Sequence, residues 1–356
     1  MLEIDGTKVK SLEDLPKMKL VDTLRIKKFS NIEPYLPAIG QMRSLEALEI
    51  LLTELPDLSF LKSLKNLTRL CLNNTKTTDI TPVGELSNLV YLDTSNTNFF
   101  FNDKIPFSWM GNAAPGVPAK QIRDHSPIAK LKNLKTLDIN CTTNENLGFL
   151  AQCDSLSSLT LDCGWKVNDI SFVSRIKKLN HIIIQSMPAS TDVSPLLSLK
   201  NDVRIMPADI GFPQDHEANP GIGKVYAEKL DLVHKKARSV LAAVIKPGMS
   251  DLDKEIAIND WMVKNVKYDH QYGNHPSLGW AFCSAYGGLI DNLAICQGYS
   301  KTFELLMNSA GVECLYIVGR AKVNGVYKGL SADDLGHAWN AVKLDNEYYL
   351  VDTTWN

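Results

Sequence analysis

Leucine recurs in the first half of this chain with a nearly fixed step. Leu45, Leu67 and Leu89 stand 22 residues apart, and Leu134, Leu156 and Leu179 follow at steps of 22 and 23. A unit of that length cannot bury its apolar face alone, so successive units must stack and share one continuous core. Within one unit, Leu67-x-x-Leu70-x-Leu72-x-x-Thr75 precedes Asp79-Ile80-x-Pro82-Val83-x-x-Leu86. The first block reads as a short strand, and the second as an arm that returns the chain to the start of the next strand. The period therefore predicts a curved solenoid of parallel strands from about Leu20 to Ile205.

This is the period of leucine-rich repeats, and the units resemble those of the bacterial type. Thr53, Thr75, Thr97 and Thr142 occupy the place where many such repeats carry Asn. Two readings fit them: a hydroxyl bonded to the neighbouring unit's backbone, or a plain polar turn. Cys71 lies between two inward leucines and is expected to point outward, with Cys141 and Cys163 structural beside the turn. The step from Leu89 to Leu134 is 45 residues, so about one extra unit is inserted at about 99–125. Its aromatic residues, prolines and glycines, from Phe99-Phe100-Phe101 through Trp109-Met110 to Pro118, predict an ordered loop. That loop serves either as a recognition surface or as packing. The repeats fade at Val203-Arg204-Ile205, and Pro207, Pro213, Pro220, Gly221 and Gly223 break both helix and strand. The expected division is a repeat domain at 1–206, a linker at 207–221 and a second domain at 222–356.

Composition narrows the partners. With 356 residues, 44% hydrophobic and 22% charged, the chain can bury two substantial cores. A formal net charge of −2 supplies no basic field for nucleic acid. No apolar run approaches a membrane span, and Met1-Leu2-Glu3-Ile4-Asp5 lacks the pattern of a secretion signal. If such a segment had been removed, a secreted or cell-surface protein would look the same, so no compartment is assigned. Seven cysteines without a C-x-x-C pair suggest neither a zinc site nor a disulfide framework. His270, His275 and Cys283 match no ligand spacing, so no metal and no cofactor are expected.

In the second domain, Tyr226, Leu230, Val233, Ala237, Val240 and Val244 mark one face of a helix closed by Pro247-Gly248. Ser250 with Asp253 starts another, whose apolar positions read as Leu252, Ile256, Val263 and Val266. Cys296 opens a third: Tyr299, Phe303, Leu306 and Ala310 follow at helical spacing, and Gly311 stands where the helix should stop. Free N–H groups at a helix start favour thiolate over thiol.

His337 to Leu344 and Tyr348 to Trp355 read as two strands around a tight Asp345-Asn346 turn. If Leu344 faces Glu347, then Trp339 faces Asp352 and His337 is the diagonal neighbour of Asp352 on the same sheet face. The pair would let Asp352 orient one imidazole nitrogen while the other takes the proton of Cys296. Taken singly, a buried Cys or a strand His is most often packing.

Cys296-Gln297-Gly298-Tyr299, Gly336-His337-Ala338-Trp339-Asn340 and Val351-Asp352-Thr353-Thr354-Trp355 stand in this order. Together with Lys267-Tyr268-Asp269 and Ser284-Ala285-Tyr286-Gly287 they resemble the transglutaminase-like superfamily, over roughly Ile222 to the end. The resemblance implies an α+β, papain-like core with Cys296, His337 and Asp352 as its triad. Gln297, Trp339, Trp280 and Tyr286 would line the substrate, with Tyr286 also a donor to the oxyanion beside the Cys296 N–H. Domains of this family commonly continue with further strand, so the chain, ending four residues past Asp352, is expected to be incomplete there.

The implied chemistry is attack by Cys296 on a carboxamide of a protein or peptide, giving a thioester resolved by an amine or by water. Family members include transglutaminases, proteases, amidases and inactive relatives. The alternative is a repeat protein that binds a protein partner and carries the second domain as a protease or inactive scaffold. No nucleic acid partner is expected, and no pattern states an oligomeric state.

Overall fold

The computed structural model describes residues 1–95, 122, 124–140, 146–162, 165, 167–200, 203–207, 210, 222–271, 281–319, 321–323, 326–328 and 336–355. Most of the expected 99–125 insertion and of the 207–221 linker, together with Trp280, Thr97, Thr142, Cys141, Cys163 and His275, lies outside the described residues. Contacts within the chain divide it into two compact units, with the change at Ile183 and Ile184. That point lies ahead of the proline- and glycine-rich break.

The repeats form a sheet whose nine strands lie side by side in chain order. They are β1 (Leu2–Asp5), β2 (Thr23–Lys27), β3 (Ala47–Leu51), β4 (Arg69–Cys71), β5 (Tyr91–Asp93), β6 (Thr136–Asn140), β7 (Ser158–Asp162), β8 (His181–Gln185) and β9 (Arg204–Pro207). The pairings from β1 to β7 are parallel and keep equivalent residues in register, as in Leu24 with Leu48, Leu48 with Leu70, and Leu70 with Leu92. The first strand starts well before Leu20, because a terminal unit departs from the leucine spacing that marks the inner ones.

Leu45, Leu67, Leu89, Leu134 and Leu156 are completely buried, and Leu179 is nearly so. The return arms are single 3-10 turns, such as Ser59–Ser63, Thr81–Glu85, Ser126–Lys130, Leu147–Gln152 and Ser171–Arg175. A side-chain oxygen two residues upstream holds each entry: Asp57 accepts from Ser59 N–H, Asp79 from Thr81, Asp124 from Ser126, Asn146 from Gly148 and Asp169 from Ser171. Short polar side chains bond in this way to backbone two residues on, which fixes where these arms start.

Thr53 takes the bonded reading, since its Oγ1 donates to Leu51 O and accepts Phe29 N–H of the preceding unit at 3.1 Å. Thr75 donates to Leu72 O within its own turn. Cys71 is buried, and its thiol donates to Asp93 Oδ2 at 3.1 Å. Strand alternation does turn it away from the leucine core, but the neighbouring strand's carboxylate covers it. Along the same sheet, Glu49 bridges Arg25 and Arg69, and the Arg69 guanidinium lies 3.7 Å over the Tyr91 ring. The Tyr91 hydroxyl donates to Asp138 Oδ2.

The first unit contains the short helix α1 (Leu36–Gly40), and the second contains α2 (Ser194–Leu197), α3 (Ile222–Val244), α4 (Asp251–Asn265) and α5 (Cys296–Ser309). On α3, Tyr226, Leu230, Val233, Ala237 and Val240 are buried as the periodicity predicts. On α4 the Ser250–Asp253 capping box is present, yet the buried face is Glu255, Ile258 and Met262. Leu252, Ile256 and Val263 are 52%, 51% and 52% exposed, which corrects the predicted face. Apolar residues occur on both sides of this helix, so periodicity by itself selects neither.

A short parallel pair, β10 (Lys267–Tyr268) with β11 (Leu293–Ala294), leads into α5. Two further strands, β13 (Ala321–Val323) and β14 (Val326–Lys328), form a hairpin. The main sheet of this unit has the order β12 (Cys314–Gly319), β15 (His337–Leu344), β16 (Glu347–Val351), with both pairings antiparallel.

Candidate active site

Cys296 is the first residue of α5 and is half-buried. Its position follows from how the preceding backbone is held. Ile295 N–H donates to Phe282 O, and Asp269 N–H donates to Ala294 O, so both sides of the approach are tied. Gly298 is required here for close approach: a Cβ would stand 2.3 Å from Phe282 O and 2.8 Å from Ala294 Cβ. The helix continues through buried Tyr299, Phe303 and Leu306 and ends before Gly311, whose φ is +82°. The Tyr299 hydroxyl donates to Val266 O at 2.6 Å and anchors the first turn to the end of α4.

His337 begins β15, and the same strand is fastened to α5. Asn340, completely buried, donates from Nδ2 to Ser300 O at 3.0 Å and to Leu315 O. Asn308 Nδ2 donates to Cys314 O, and Cys314 N–H donates to Asn308 Oδ1, so the far end of α5 is joined to β12. These bonds set the distance between the helix that carries the thiol and the strand that carries the imidazole.

The hairpin register is the one the turn implies. Leu344 faces Glu347 and Asn340 faces Val351, and the turn residues Asp345 and Asn346 have φ of 50° and 66°. The second strand is shorter than expected and stops at Val351. Asp352 then turns the chain: its Oδ1 accepts Thr354 N–H at 3.0 Å and its O accepts Trp355 N–H. Its other oxygen, Oδ2, lies 2.6 Å from His337 Nε2.

Electrostatics at His337 follow from these partners. Burial works against the charged imidazole, but the bond with Asp352 and then the interaction with the Cys296 thiol outweigh it and raise its pKa to about 9. Cys296, His337 and Asp352 therefore form one interacting group. Burial pushes the nearby Cys283 thiol up to about 12, assisted by the charge of Cys296. Tyr316, raised by burial and Glu304, also feels both cysteines.

The other expected lining residues are distributed unevenly. Trp339 stands beside His337, ring centroids 5.8 Å apart, and Gln297 is the half-buried second residue of α5. Lys229 Nζ lies 5.2 Å over the Tyr286 ring, and burial and the Asp291 carboxylate raise the pKa of Tyr286. Among the described residues, no group of three or more His, Cys, Asp or Glu side chains is placed to hold a metal ion, and no helix is long and apolar enough to cross a membrane. Sequence reading missed Trp355 as a member of the site. Its ring lies 4.4 Å from that of His337, and only the turn after Val351 brings it back there.

Residues 238–353 match the model of the transglutaminase-like superfamily. Kyphoscoliosis peptidase of Mus musculus is 31% identical over 135 residues, which cover 36% of this chain and 20% of that protein. Lim and transglutaminase domain protein ltd-1 of Caenorhabditis elegans is 31% identical over 112 residues, covering 30% of this chain and 14% of that protein. The matched part thus spans a fifth or less of the length of these relatives. Among solved structures, an internalin C2 of Listeria monocytogenes is similar at 25% identity and a TM-score of 0.44, covering 57% of this chain and 78% of that one. The chain joins leucine-rich repeats, seen in its own parallel strands and leucine core, to a transglutaminase-like domain at residues 238–353.

Proposed function

We propose that this protein is a cysteine-dependent acyl-transfer enzyme acting on protein or peptide carboxamides. The reading rests above all on the His337–Asp352 bond of 2.6 Å, made by an imidazole that also interacts with a thiol at a helix start. In this reading Asp352 orients the ring through Nε2 and the opposite nitrogen serves Cys296. The Cys296 thiolate attacks the carbonyl carbon, and the oxyanion is met by N–H groups at the α5 start. The His337 imidazolium donates its proton to the leaving nitrogen as the C–N bond breaks, leaving a thioester on Cys296. An amine or a water molecule then attacks that thioester, His337 takes the attacker's proton, and the thiolate returns.

The name of the mouse relative, a peptidase, supports peptide hydrolysis, and that of the Caenorhabditis elegans relative, a transglutaminase domain protein, leaves transamidation beside it. The repeats are assigned to holding the protein substrate, as a stacked parallel sheet presents an extended face to a partner. Incubation with glutamine-bearing proteins and a labelled primary amine tests the chemistry. Amine incorporation identifies transamidation, and peptide cleavage or ammonia release alone identifies hydrolysis. Absence of any thioester on Cys296 across protein and peptide pools, with a partner still captured by the repeats, would leave a binding protein instead.

A further inference from the structure

Trp355 lies flat on His337, with ring centroids 4.4 Å apart and planes 12° from parallel. It is held there by the residue that binds the imidazole edge, since Asp352 accepts Thr354 N–H through Oδ1 and Trp355 N–H through its carbonyl. Yet Trp355 is 55% exposed, so apolar burial alone gives little reason for a tryptophan. We propose that Trp355 is a positioning residue of the Cys296 site: its π face holds the His337 ring in the plane that serves both Asp352 and Cys296, and it favours the imidazolium over the neutral ring.

Two physical effects support this. A cation over an aromatic face is attracted by the ring quadrupole, by an amount that grows as water is excluded, and His337 is buried. A flat neighbour also blocks rotation of the imidazole about its last side-chain bond, which is otherwise broad. Among the described residues, the ionisable groups that act on His337 are Asp352, from the turn after β16, and Cys296, from α5. Gly319, paired with His337 on β12, carries none, and Trp339 on its own strand is neutral. Trp355 therefore adds to the charge preference without competing for either ring nitrogen.

The proposal leans on the acyl-transfer reading only for its kinetic consequence, so the primary test uses no substrate. The His337 ring is titrated by NMR in the full chain carrying isotope-labelled histidine, for the native protein and for Trp355→Ala, Trp355→Phe and Trp355→Leu. The titrations are repeated in a Cys296→Ala background to remove coupling to the thiol. The alanine variant should move the midpoint down by about 0.5 to 1.5 pH units. Phenylalanine should restore most of it and leucine should not, because leucine fills space without a π face. If alanine proves unable to fold, the phenylalanine and leucine variants still carry the comparison. An unmoved midpoint, or equal midpoints for phenylalanine and leucine, overturns the proposal. A moved midpoint with no thioester on any substrate keeps Trp355 in this role and rejects acyl transfer. With acyl transfer established, Trp355→Ala should lower kcat more than it raises KM and shift the alkaline limb of the pH profile the same way.

Discussion

Asp352 binds His337 from one residue beyond the end of its strand. The β15–β16 ladder closes at Asn340 and Val351, and the carboxylate reaches diagonally back to the imidazole at 2.6 Å. Because the bond leaves the ladder, Asp352 is free to turn the chain with its second oxygen. One side chain thus holds the edge of the imidazole and starts the turn that covers its face.

Removing members of this group should have unequal effects. Cys296→Ala should abolish thioester formation, and His337→Ala should lower kcat by at least the roughly 100-fold that a positioned general base supplies. Asp352→Asn should keep the turn bond to Thr354 while weakening the hold on His337. Its rate should fall with little change in thermal unfolding. Steady-state kinetics beside calorimetry reads both, and an unchanged rate in Asp352→Asn would remove the carboxylate from the mechanism.

The raised pKa of His337 fixes the sign of a pH dependence. A base whose folded pKa lies near 9, against 6.5 when unfolded, adds stability fully present below about 6.5. That contribution is lost as pH rises through about 9. Activity that needs the imidazolium should fall over the same upper range. Denaturant unfolding of native protein and His337→Gln across pH 6 to 10 should converge at the alkaline end, and curves that stay parallel would contradict the assignment.

His234 has the opposite sign. It is completely buried on α3, and burial, with a smaller contribution from the nearby Arg238 charge, lowers its pKa to about 4. The folded state therefore binds fewer protons than the unfolded chain between about 6.5 and 4, and stability falls as pH drops through that window. The loss should be on the order of 3 kcal/mol. A His234→Leu variant should flatten this part of the stability profile, measured by urea unfolding.

Alkylation should separate the cysteines. Burial raises Cys153 to about 11 and Cys283 to about 12, raises Cys314 well above its usual range, and raises Cys71 together with the Asp93 charge. Among the described cysteines only Cys296 combines a helix start with a histidine partner. Iodoacetamide at neutral pH, followed by peptide mass spectrometry, should label Cys296 first. Equal labelling of the described cysteines would count against a prepared nucleophile.

Gly298→Ala tests the seat of the helix. The added methyl would meet the Phe282 carbonyl and the Ala294 side chain, and backbone on one side cannot move aside cheaply. Overpacking of this kind costs about 1–3 kcal/mol. The unfolding transition of the C-terminal unit should move down, and Cys296 alkylation should slow as the helix start shifts.

Much of this protein was legible in its sequence because the relevant signals are local or periodic. The leucine step encodes stacked parallel strands, since each unit meets only its neighbours. The run after Cys296 encodes a helix, since its apolar residues share one face. The Asp345-Asn346 turn encodes a register, and the register brings His337 near Asp352. Other features depend on contacts between segments distant in sequence. Which face of α4 is buried was decided by what packs on it, because Leu252 and Ile258 are equally apolar choices. Whether Cys71 is covered was decided by Asp93 on the next strand. The stack of Trp355 on His337 was decided by where β16 ends, and that depends on Asp352 being drawn to an imidazole fifteen residues earlier. Periodicity and turn chemistry act along the chain and can be read there. The partner of a given side chain is chosen across space, after the chain has closed on itself.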